Sequence, residues 1–443
     1  MPIAHVLGLG KSGVAAARLL KSNGWQVAAS DQGTNPSLMR QRDLLESEGI
    51  EVTLNSSPSW EDTSIELIIV SPGIPWDSPI LQKARNLSIE TIGEVELGWQ
   101  YLHKIPWLAI TGTNGKTTTT ALVAAIFQAA GINAPACGNI GVPVCDVALN
   151  SQLPDWIIAE ISSYQIESAP SINPQIGVWT TFTPDHLNRH RTVEAYRDIK
   201  YSLIKRSRQI ILNSDDQYLS QHGASLCPQA VWTSCTNSTN GAYIEAGWVK
   251  FADQDVVAVH KFKLIGQHNL QNLLMAVTAA KLAGISSEAI AAGVAEFNGV
   301  AHRLEYICDR QGVQFINDSK ATNYDAALVG LQAIENTTIL IAGGEPKTGE
   351  PQAWLELIKQ KAAKVLLIGE AAPLFAKLLQ GVNYSTYEIV NTLEVAVPRS
   401  LTLAVSLKVK TVLFSPACAS FDQFANFEQR GDRFRELCLD INA

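Results

Sequence analysis

Residues 110–120 read Ile-Thr-Gly-Thr-Asn-Gly-Lys-Thr-Thr-Thr-Thr, between the apolar run 107–110 and a helical stretch at 121–130. A strand, a Gly-rich turn carrying Lys-Thr and then a helix is the build of a phosphate-binding loop. Backbone N–H groups and the helix N-terminus receive the phosphates there. On this reading Lys116 contacts the outer phosphates of ATP and Thr117 ligates Mg²⁺. The usual pattern wants a Gly five positions before Gly115, where Ile110 stands. The match is therefore a shortened one, Gly112-x-x-Gly115-Lys116-Thr117.

The rest of the chain suits such a loop. Residues 3–7 read as a strand, Gly8-Leu-Gly10-Lys-Ser-Gly13 as a tight turn, 14–23 as a helix, and 25–30 as a second strand ending at Asp31. The apolar run 67–70 leads into Ser71-Pro-Gly-Ile-Pro75, and 92–104 reads as an amphipathic helix broken by Pro106. Beyond the loop, strands are expected at 156–159, 176–180 and 209–213, a small β-rich addition at 230–263, and helices at 269–282 and 287–295. The pattern resets near Phe297-Asn298-Gly299-Val300, with further strands at 313–317, 338–342, 364–368 and 411–414. Strands alternating with helices mean parallel sheets covered on both faces. With 443 residues, about three domains are expected, and the breaks place them at 1–92, 93–298 and 299–443.

Composition narrows the function. The net charge of −8 with no long basic run argues against nucleic acid as a partner. No stretch approaches about 18 uninterrupted apolar residues, so no membrane span is expected. The N-terminus runs directly into a strand, the pattern of a chain without a signal peptide, and the expected location is the cytoplasm. Seven cysteines without a CxxC pair fit reduced thiols better than disulfides or zinc.

Polar clusters fall at the ends of the expected strands, where α/β sites form. Gly8-x-Gly10-x-x-Gly13 with Asp31 has the spacing of a dinucleotide fingerprint, which UDP satisfies as well as NAD. Glu160 ends a strand and suits Mg²⁺, directly or through water. His186, in Asp185-His186-Leu-Asn-Arg-His190, is a poor ligand for Mg²⁺ and an acceptable one for Mn²⁺. Lys200 lies on a helical segment and reads as solvated. Asn269 and Asn272 share a helix face, either to meet a nucleotide or to cap the helix. Arg303 follows the second boundary, where it can reach back to a phosphate. The loops around Lys320, Lys347 and Ser420 follow three strands and imply one crevice for a small anion.

Together these motifs resemble the Mur ligases, the ATP-dependent amide-forming enzymes of peptidoglycan assembly. The resemblance runs from Gly8 to Arg430 through Gly112-Thr-Asn-Gly-Lys-Thr117, Asn139-Ile-Gly141, Glu160-Ile-Ser-Ser, Asp185-His186, His268-Asn269, His302-Arg303 and Asp318-Ser-Lys-Ala-Thr322. The segment from Ser415 to Gly431 resembles the D-glutamate-adding branch, and the Asp-Asn-Pro-Arg motif of the diamino-acid-adding branch does not occur. The resemblance implies an α/β fold of three domains, Rossmann-like at both ends and P-loop ATPase-like in the centre with a small β addition. It implies phosphorylation of the UDP-MurNAc-L-Ala carboxylate by ATP, followed by attack of D-glutamate on the acyl phosphate. It also implies a role in cell-wall precursor synthesis, and through it in cell shape and division, by a monomer.

In residue terms, ATP would be held by Gly112, Thr113, Asn114, Gly115, Lys116, Thr117, Thr118, Asn269, Asn272, Arg303 and Asp318. Two Mg²⁺ sites (or Mn²⁺) would use Thr117, Glu160, His186 and a carbamylated Lys200. Gly10, Lys11, Ser12, Asp31 and Ser71 would meet UDP, and Asn139 the substrate. Thr322, Lys347, Ser420 and Phe427, with Lys320 nearby, would hold D-glutamate. Two departures stand out: Gly33 replaces a basic residue found in some relatives, and Pro346 stiffens the approach to Lys347. Part of the pattern is shared with the diamino-acid-adding enzymes, with folylpolyglutamate synthases and, through the first Gly turn alone, with NAD-linked dehydrogenases.

Overall fold

The computed structural model describes residues 1–56, 58, 60, 64–346 and 349–441. The chain forms two compact units, one of Met1–Phe262 with His268–Phe297 and one of Lys263–Gln267 with Asn298–Ala443.

The first unit carries two parallel sheets. β1 (Ile3–Leu7), β2 (Gln26–Asp31), β3 (Glu51–Leu54), β4 (Ile65–Val70) and β5 (Glu90–Gly93) form the first, in the order β3-β2-β1-β4-β5. The chain reverses direction across the sheet between β1 and β4, so their carboxyl ends flank a crevice. The expected helix at 92–104 begins two residues late. Ile92 and Gly93 close the sheet as part of β5, and the helix runs Glu94–Leu102. Glu94 and Glu96 in its first turn anchor it: Glu94 Oε1 accepts the Cys145 N–H at 2.7 Å, and Glu96 accepts the Ser171 N–H at 3.1 Å. Burial pushes the Glu94 carboxyl up to about 7.

The second sheet takes β6 (Trp107–Thr111), β7 (Ala136–Gly138), β8 (Ile157–Glu160), β9 (Ile176–Trp179), β10 (Gln209–Asn213) and β11 (Val231–Thr233) in the order β11-β10-β9-β6-β8-β7. All neighbours are parallel, and β6 is central with β8 and β9 on either side. β6 is buried along its length, as a strand covered on both faces must be. The β-rich addition is smaller than expected. β11 joins the main sheet, and only β12 (Tyr243–Glu245), β13 (Trp248–Phe251) and β14 (Gln254–Ala258) form the separate antiparallel sheet.

The second unit holds β15 (Glu305–Arg310), β16 (Val313–Asn317), β17 (Thr338–Gly343), β18 (Ala362–Ile368), β19 (Tyr387–Asn391) and β20 (Thr411–Phe414). Their order is β15-β16-β20-β17-β18-β19, parallel except for the β15–β16 hairpin. Apolar clusters fill both faces of this sheet, one around Trp354 and Phe375 and one around Phe414 and Phe434. Among the described residues no helix is long and apolar enough to cross a membrane.

Candidate functional site

The loop after β6 turns on two glycines. Gly112 has φ 150° and Gly115 φ 82°, and a Cβ on either would overlap Thr180 or Asn272 respectively. Gly115 in the left-handed region starts the helix Lys116–Ala129, so the first N–H groups of that helix face the loop. The loop is tied to the end of β9. Thr113 N–H donates to Thr181 O at 2.9 Å and Asn114 N–H to Thr181 Oγ1 at 2.9 Å. Lys116 Nζ donates to Gly112 O at 3.0 Å and Thr113 O at 2.8 Å, which holds the ammonium over the loop.

Asn269 and Asn272 are buried on the helix Gln267–Leu282. Thr119 Oγ1 donates to Asn272 Oδ1 at 3.2 Å, and Asn272 Nδ2 donates to Asn269 Oδ1 at 3.2 Å. They therefore brace the helix that follows the loop instead of capping their own. Thr117 is buried two residues before Thr119, and Thr118 is half-buried.

Lys200 overturns the expectation of a solvated side chain. It is 1% exposed, its Nζ donates to Gly112 O at 2.7 Å, and it lies 4.5 Å from the centre of the Tyr196 ring. Its helix, Val193–Ile204, packs Tyr196, Lys200, Leu203 and Ile204 inward, a spacing of about one helical turn that carries the lysine in with the apolar stripe. Burial holds the ammonium well below the usual lysine range, and repulsion from Lys116 adds to the effect. Two lysine side chains thus converge on one carbonyl oxygen.

Glu160 ends β8 in register with Ile110 and is 1% exposed. Asn139 donates to it twice, through Nδ2 to Oε1 at 2.6 Å and through its own N–H to Glu160 O at 2.9 Å. Glu160 Oε2 is buried without a protein partner. A buried carboxylate oxygen left in this way fits a hard cation. Among the described residues no cluster of three His, Cys, Asp or Glu side chains is arranged to hold a metal.

His186 adopts φ 55°, a left-handed conformation uncommon for a side chain of this size. Asp185 Oδ1 accepts its N–H at 2.7 Å, and its Nδ1 lies 3.0 Å from the Tyr164 hydroxyl. Burial lowers the imidazole pKa; Asp185 opposes this, and Lys116 and Lys200 reinforce it.

The first glycine turn forms a separate site on its own sheet. Both oxygens of Asp31 accept backbone N–H groups, from Leu9 at 2.8 Å and from Gly33 at 2.8 Å, so the acid clamps the turn. Ser71, at the end of β4, donates to Gly8 O at 2.9 Å. A Cβ at Gly13 would overlap the carbonyl of Gly8, whereas one at Gly10 would have no heavy atom within 4 Å. Lys11 and Ser12 open the helix Lys11–Ser22 at this turn, with Lys11 exposed. A Cβ at Gly33 would lie 2.6 Å from Leu38 Cδ1, the far end of a side chain that can turn aside at little cost.

In the second unit, Asp318 is fully enclosed after β16. Ser415 Oγ donates to it at 2.8 Å, and burial pushes its carboxyl up to about 7. Arg303 is half-buried and close enough to Asp318 to oppose that shift. Lys320 Nζ sits 3.9 Å from the centre of the Phe427 ring. Ser420 is buried and Thr322 half-buried. Lys347 lies outside the described residues, and Pro346 before it is exposed.

Sequence reasoning gave Arg430 no role, yet it organises this region. Its guanidinium is 1% exposed and donates to Ala419 O at 2.8 Å, Cys418 O at 3.0 Å, Ser319 O at 2.8 Å and Ser319 Oγ at 3.1 Å. It thereby joins the loops after β16 and β20. The signal was in the spacing: Arg430, Gly431, Phe434 and Cys438 form the buried stripe of the helix Phe427–Asp440.

The structure therefore brings together Lys116, Thr117, Asn139, Glu160, His186, Lys200, Asn269 and Asn272 around the loop after β6. Gly10, Lys11, Ser12, Asp31 and Ser71 gather at the turn after β1. Arg303, Asp318, Lys320, Thr322, Ser420 and Phe427 belong to the second unit.

Comparisons with known proteins agree along the whole chain. The family described as Mur ligase MurD-like, N-terminal domain, matches residues 3–93. The Mur ligase middle domain matches 110–280, and the Mur ligase, glutamate ligase domain, matches 302–418. The chain is 58% identical to a UDP-N-acetylmuramoylalanine–D-glutamate ligase of Trichormus variabilis, covering 100% of this chain and 99% of the relative. It is 57% identical to the same-named protein of a Nostoc species, covering 100% and 98%. Among solved structures it resembles the UDP-N-acetylmuramate-alanine ligase MurC of Thermotoga maritima, with a TM-score of 0.62 at 18% identity over 98% of both chains. A pseudomurein peptide ligase type C of Methanothermus fervidus gives a TM-score of 0.57 at 20% identity over 100% of both chains.

Proposed function

The chain belongs to the Mur ligase family, and from that premise we propose that it joins D-glutamate to UDP-N-acetylmuramoyl-L-alanine in an ATP-driven amide synthesis. The terminal carboxylate of the UDP substrate attacks the γ-phosphorus of ATP and releases ADP. The resulting acyl phosphate is attacked by the amine of D-glutamate, and the tetrahedral adduct expels phosphate to leave the amide.

The observation that carries this reading is the convergence of Lys116 and Lys200 on Gly112 O, with the orphaned oxygen of Glu160 beside them. Two anions must meet in the first step, and a site that lowers their repulsion is what the step needs. In the reading Lys116 moves from its loop carbonyls to the γ-phosphate, and the helix N-terminus at Gly115 receives the inner phosphates. Thr117, Glu160 and His186 would hold magnesium, which when bound would screen the charge between phosphate and carboxylate. Asn139 fixes the Glu160 carboxylate through a 2.6 Å hydrogen bond and so aims its other oxygen.

Lys200 gains its role through carbamylation. Burial favours the neutral amine, whose lone pair attacks CO₂ with loss of a proton to solvent, and the product places a negative charge beside Lys116. Asn269 and Asn272, which keep the loop helix in place, are assigned to the nucleotide together with Arg303 and Asp318. Gly10, Lys11, Ser12, Asp31 and Ser71 receive UDP, while Lys320, Thr322, Lys347, Ser420 and Phe427 receive D-glutamate. The proposal divides these tasks among domains 1–92, 93–298 and 299–443, acting in a cytoplasmic monomer with two magnesium sites that also accept manganese.

A substrate panel tests the reading. Phosphate release must require both D-glutamate and UDP-N-acetylmuramoyl-L-alanine. Equal turnover with L-glutamate and a folate acceptor, or with a diamino acid on the next precursor, would remove the assignment.

A further inference from the structure

Two short helices follow the two residues assigned to the metal side. Ser163–Glu167 begins three residues after Glu160, and Leu187–His190 begins directly after His186. Helices of five and four residues do not persist through their own hydrogen bonds. A set of side chains holds these two against each other. Glu167 Oε2 accepts from Arg189 Nη2 at 2.9 Å, and Glu167 Oε1 lies 3.2 Å from His190 Nδ1. His190 Nε2 lies 2.9 Å from Ser163 Oγ, and the Arg189 guanidinium stands 4.8 Å from the centre of the Tyr164 ring. A capping box of Ser162 and Gln165 fixes the start of the first helix. At the end of this network the Tyr164 hydroxyl lies 3.0 Å from His186 Nδ1.

We propose that Tyr164 is a positioning residue for His186: its hydroxyl oxygen accepts the Nδ1–H, which fixes the ring and leaves Nε2 as the bare nitrogen. The two ring nitrogens differ in their partners. Asp185 spends Oδ1 on the His186 N–H at 2.7 Å, and its Oδ2 is 3.5 Å from Nε2, too far for a good hydrogen bond. Nδ1 therefore has the close partner: a hydroxyl that accepts there leaves the lone pair on Nε2, one that donates there leaves Nε2–H, and only the first leaves a nitrogen at Nε2 able to ligate a metal. The imidazole also has rings on two sides, with Tyr164 at 5.0 Å and Tyr196 at 6.2 Å between centroids. Its backbone is held at φ 55°, which restricts where the ring can go. Without the hydroxyl, a half-exposed imidazole reverts to the Nε2–H form it prefers in water, and the ligating lone pair is lost. The functional meaning of this device rests on the proposed role of His186 as a metal ligand.

The test is Tyr164→Phe, which keeps the ring that Arg189 covers and removes only the oxygen. The full chain, labelled with ¹⁵N-histidine and free of substrates, is read by long-range ¹H–¹⁵N correlation. The chain has eight histidines, and His186→Gln assigns the signal in question. Wild type should show Nδ1–H at His186 and the variant a majority of Nε2–H. Turnover of the variant should fall about tenfold, with the KM for ATP within about twofold and the melting temperature unchanged. An Nε2–H tautomer in wild type, or the same tautomer in both proteins, overturns the proposal and leaves the ligase reading intact. A wild type that shows the expected tautomer but releases no D-glutamate-dependent phosphate removes the ligase reading and leaves the positioning of the ring standing.

Discussion

Two glycines of the first turn, Gly10 and Gly13, should separate into a ligand-facing and a structural position when each is changed to alanine. Gly13 packs its helix on the turn so closely that a Cβ would fall more than an ångström inside the 3.0 Å that real Cβ atoms observe, and the obstacle is the backbone carbonyl of Gly8. A carbonyl that closes a turn cannot rotate away, so strand and helix must part. Forced insertions of this kind cost about 1–3 kcal/mol, with backbone obstacles at the upper end. A domain of this size loses about 2–4 °C of melting temperature per kcal/mol. Gly13→Ala should therefore lower the melting transition of the first unit by about 4–12 °C. Gly10 is the opposite case. Its φ of −69° suits any residue, and no heavy atom lies within 4 Å of a new Cβ. Alanine gains about 0.4–1 kcal/mol from a less flexible unfolded chain and loses about 0.5–1 kcal/mol as a helix cap, so the melting temperature should hardly move. The new methyl does stand at the helix N-terminus where a pyrophosphate would rest, and affinity for UDP should fall about tenfold or more. Scanning fluorimetry and calorimetric titration with UDP read the two effects separately. A Gly10→Ala protein that binds UDP as wild type does would refute the placement of the phosphates. A Gly13→Ala protein that melts like wild type would refute the packing argument.

Other expectations follow from single groups. Lys200→Ala should lose at least about a hundredfold in turnover, because an engineered neutral gap replaces charge stabilisation of the transferring group. Formate or acetate should restore part of it, and rescue by neither would count against a carbamate. Arg430→Met fills a similar volume but removes the guanidinium hydrogen bonds to Ala419 O, Cys418 O, Ser319 O and the Ser319 hydroxyl, of which Ala419 O keeps the Glu345 N–H. The cost should be about 3–5 kcal/mol, lessened by relief of the burial that already pulls the Arg430 guanidinium down to about 10; an unchanged calorimetric transition of the full chain would contradict it. His5 is buried against Trp60, and burial lowers its pKa to about 4. Because the folded pKa lies below the unfolded one, its share of stability is complete above about pH 6.5 and is lost as the pH falls from there towards 4, at most about 3 kcal/mol. Denaturant titrations at pH 7 and pH 4.5 should differ less in His5→Gln than in wild type.

Several features were legible before any coordinates. The strands at Ile3–Leu7, Gln209–Asn213, Val313–Asn317 and Thr411–Phe414 have the expected bounds, since each is a short apolar run closed by polar or Gly-rich sequence. The strands β3, β5, β7, β15 and β19 were not foreseen. They are three to six residues long and mostly at sheet margins, where half-exposed residues blur the alternation. β11 joined the main sheet because its partner is β10, a choice made by sheet register and invisible in its own three residues.

The site divides along the same line. The sequence by itself determined the loop from Gly112 to Thr117, the acid at Glu160 and the family, because a turn, its helix and the acid closing a strand are encoded within a few neighbouring residues. Tertiary structure decided that Lys200 is buried against a carbonyl 88 residues earlier, that Arg430 joins two loops, and that Tyr164 stands on the ring of His186. A lysine on a helix has the same local pattern whether water or protein covers it. Its charge state is set by which groups other strands bring within a few ångströms, and only the packed fold supplies them.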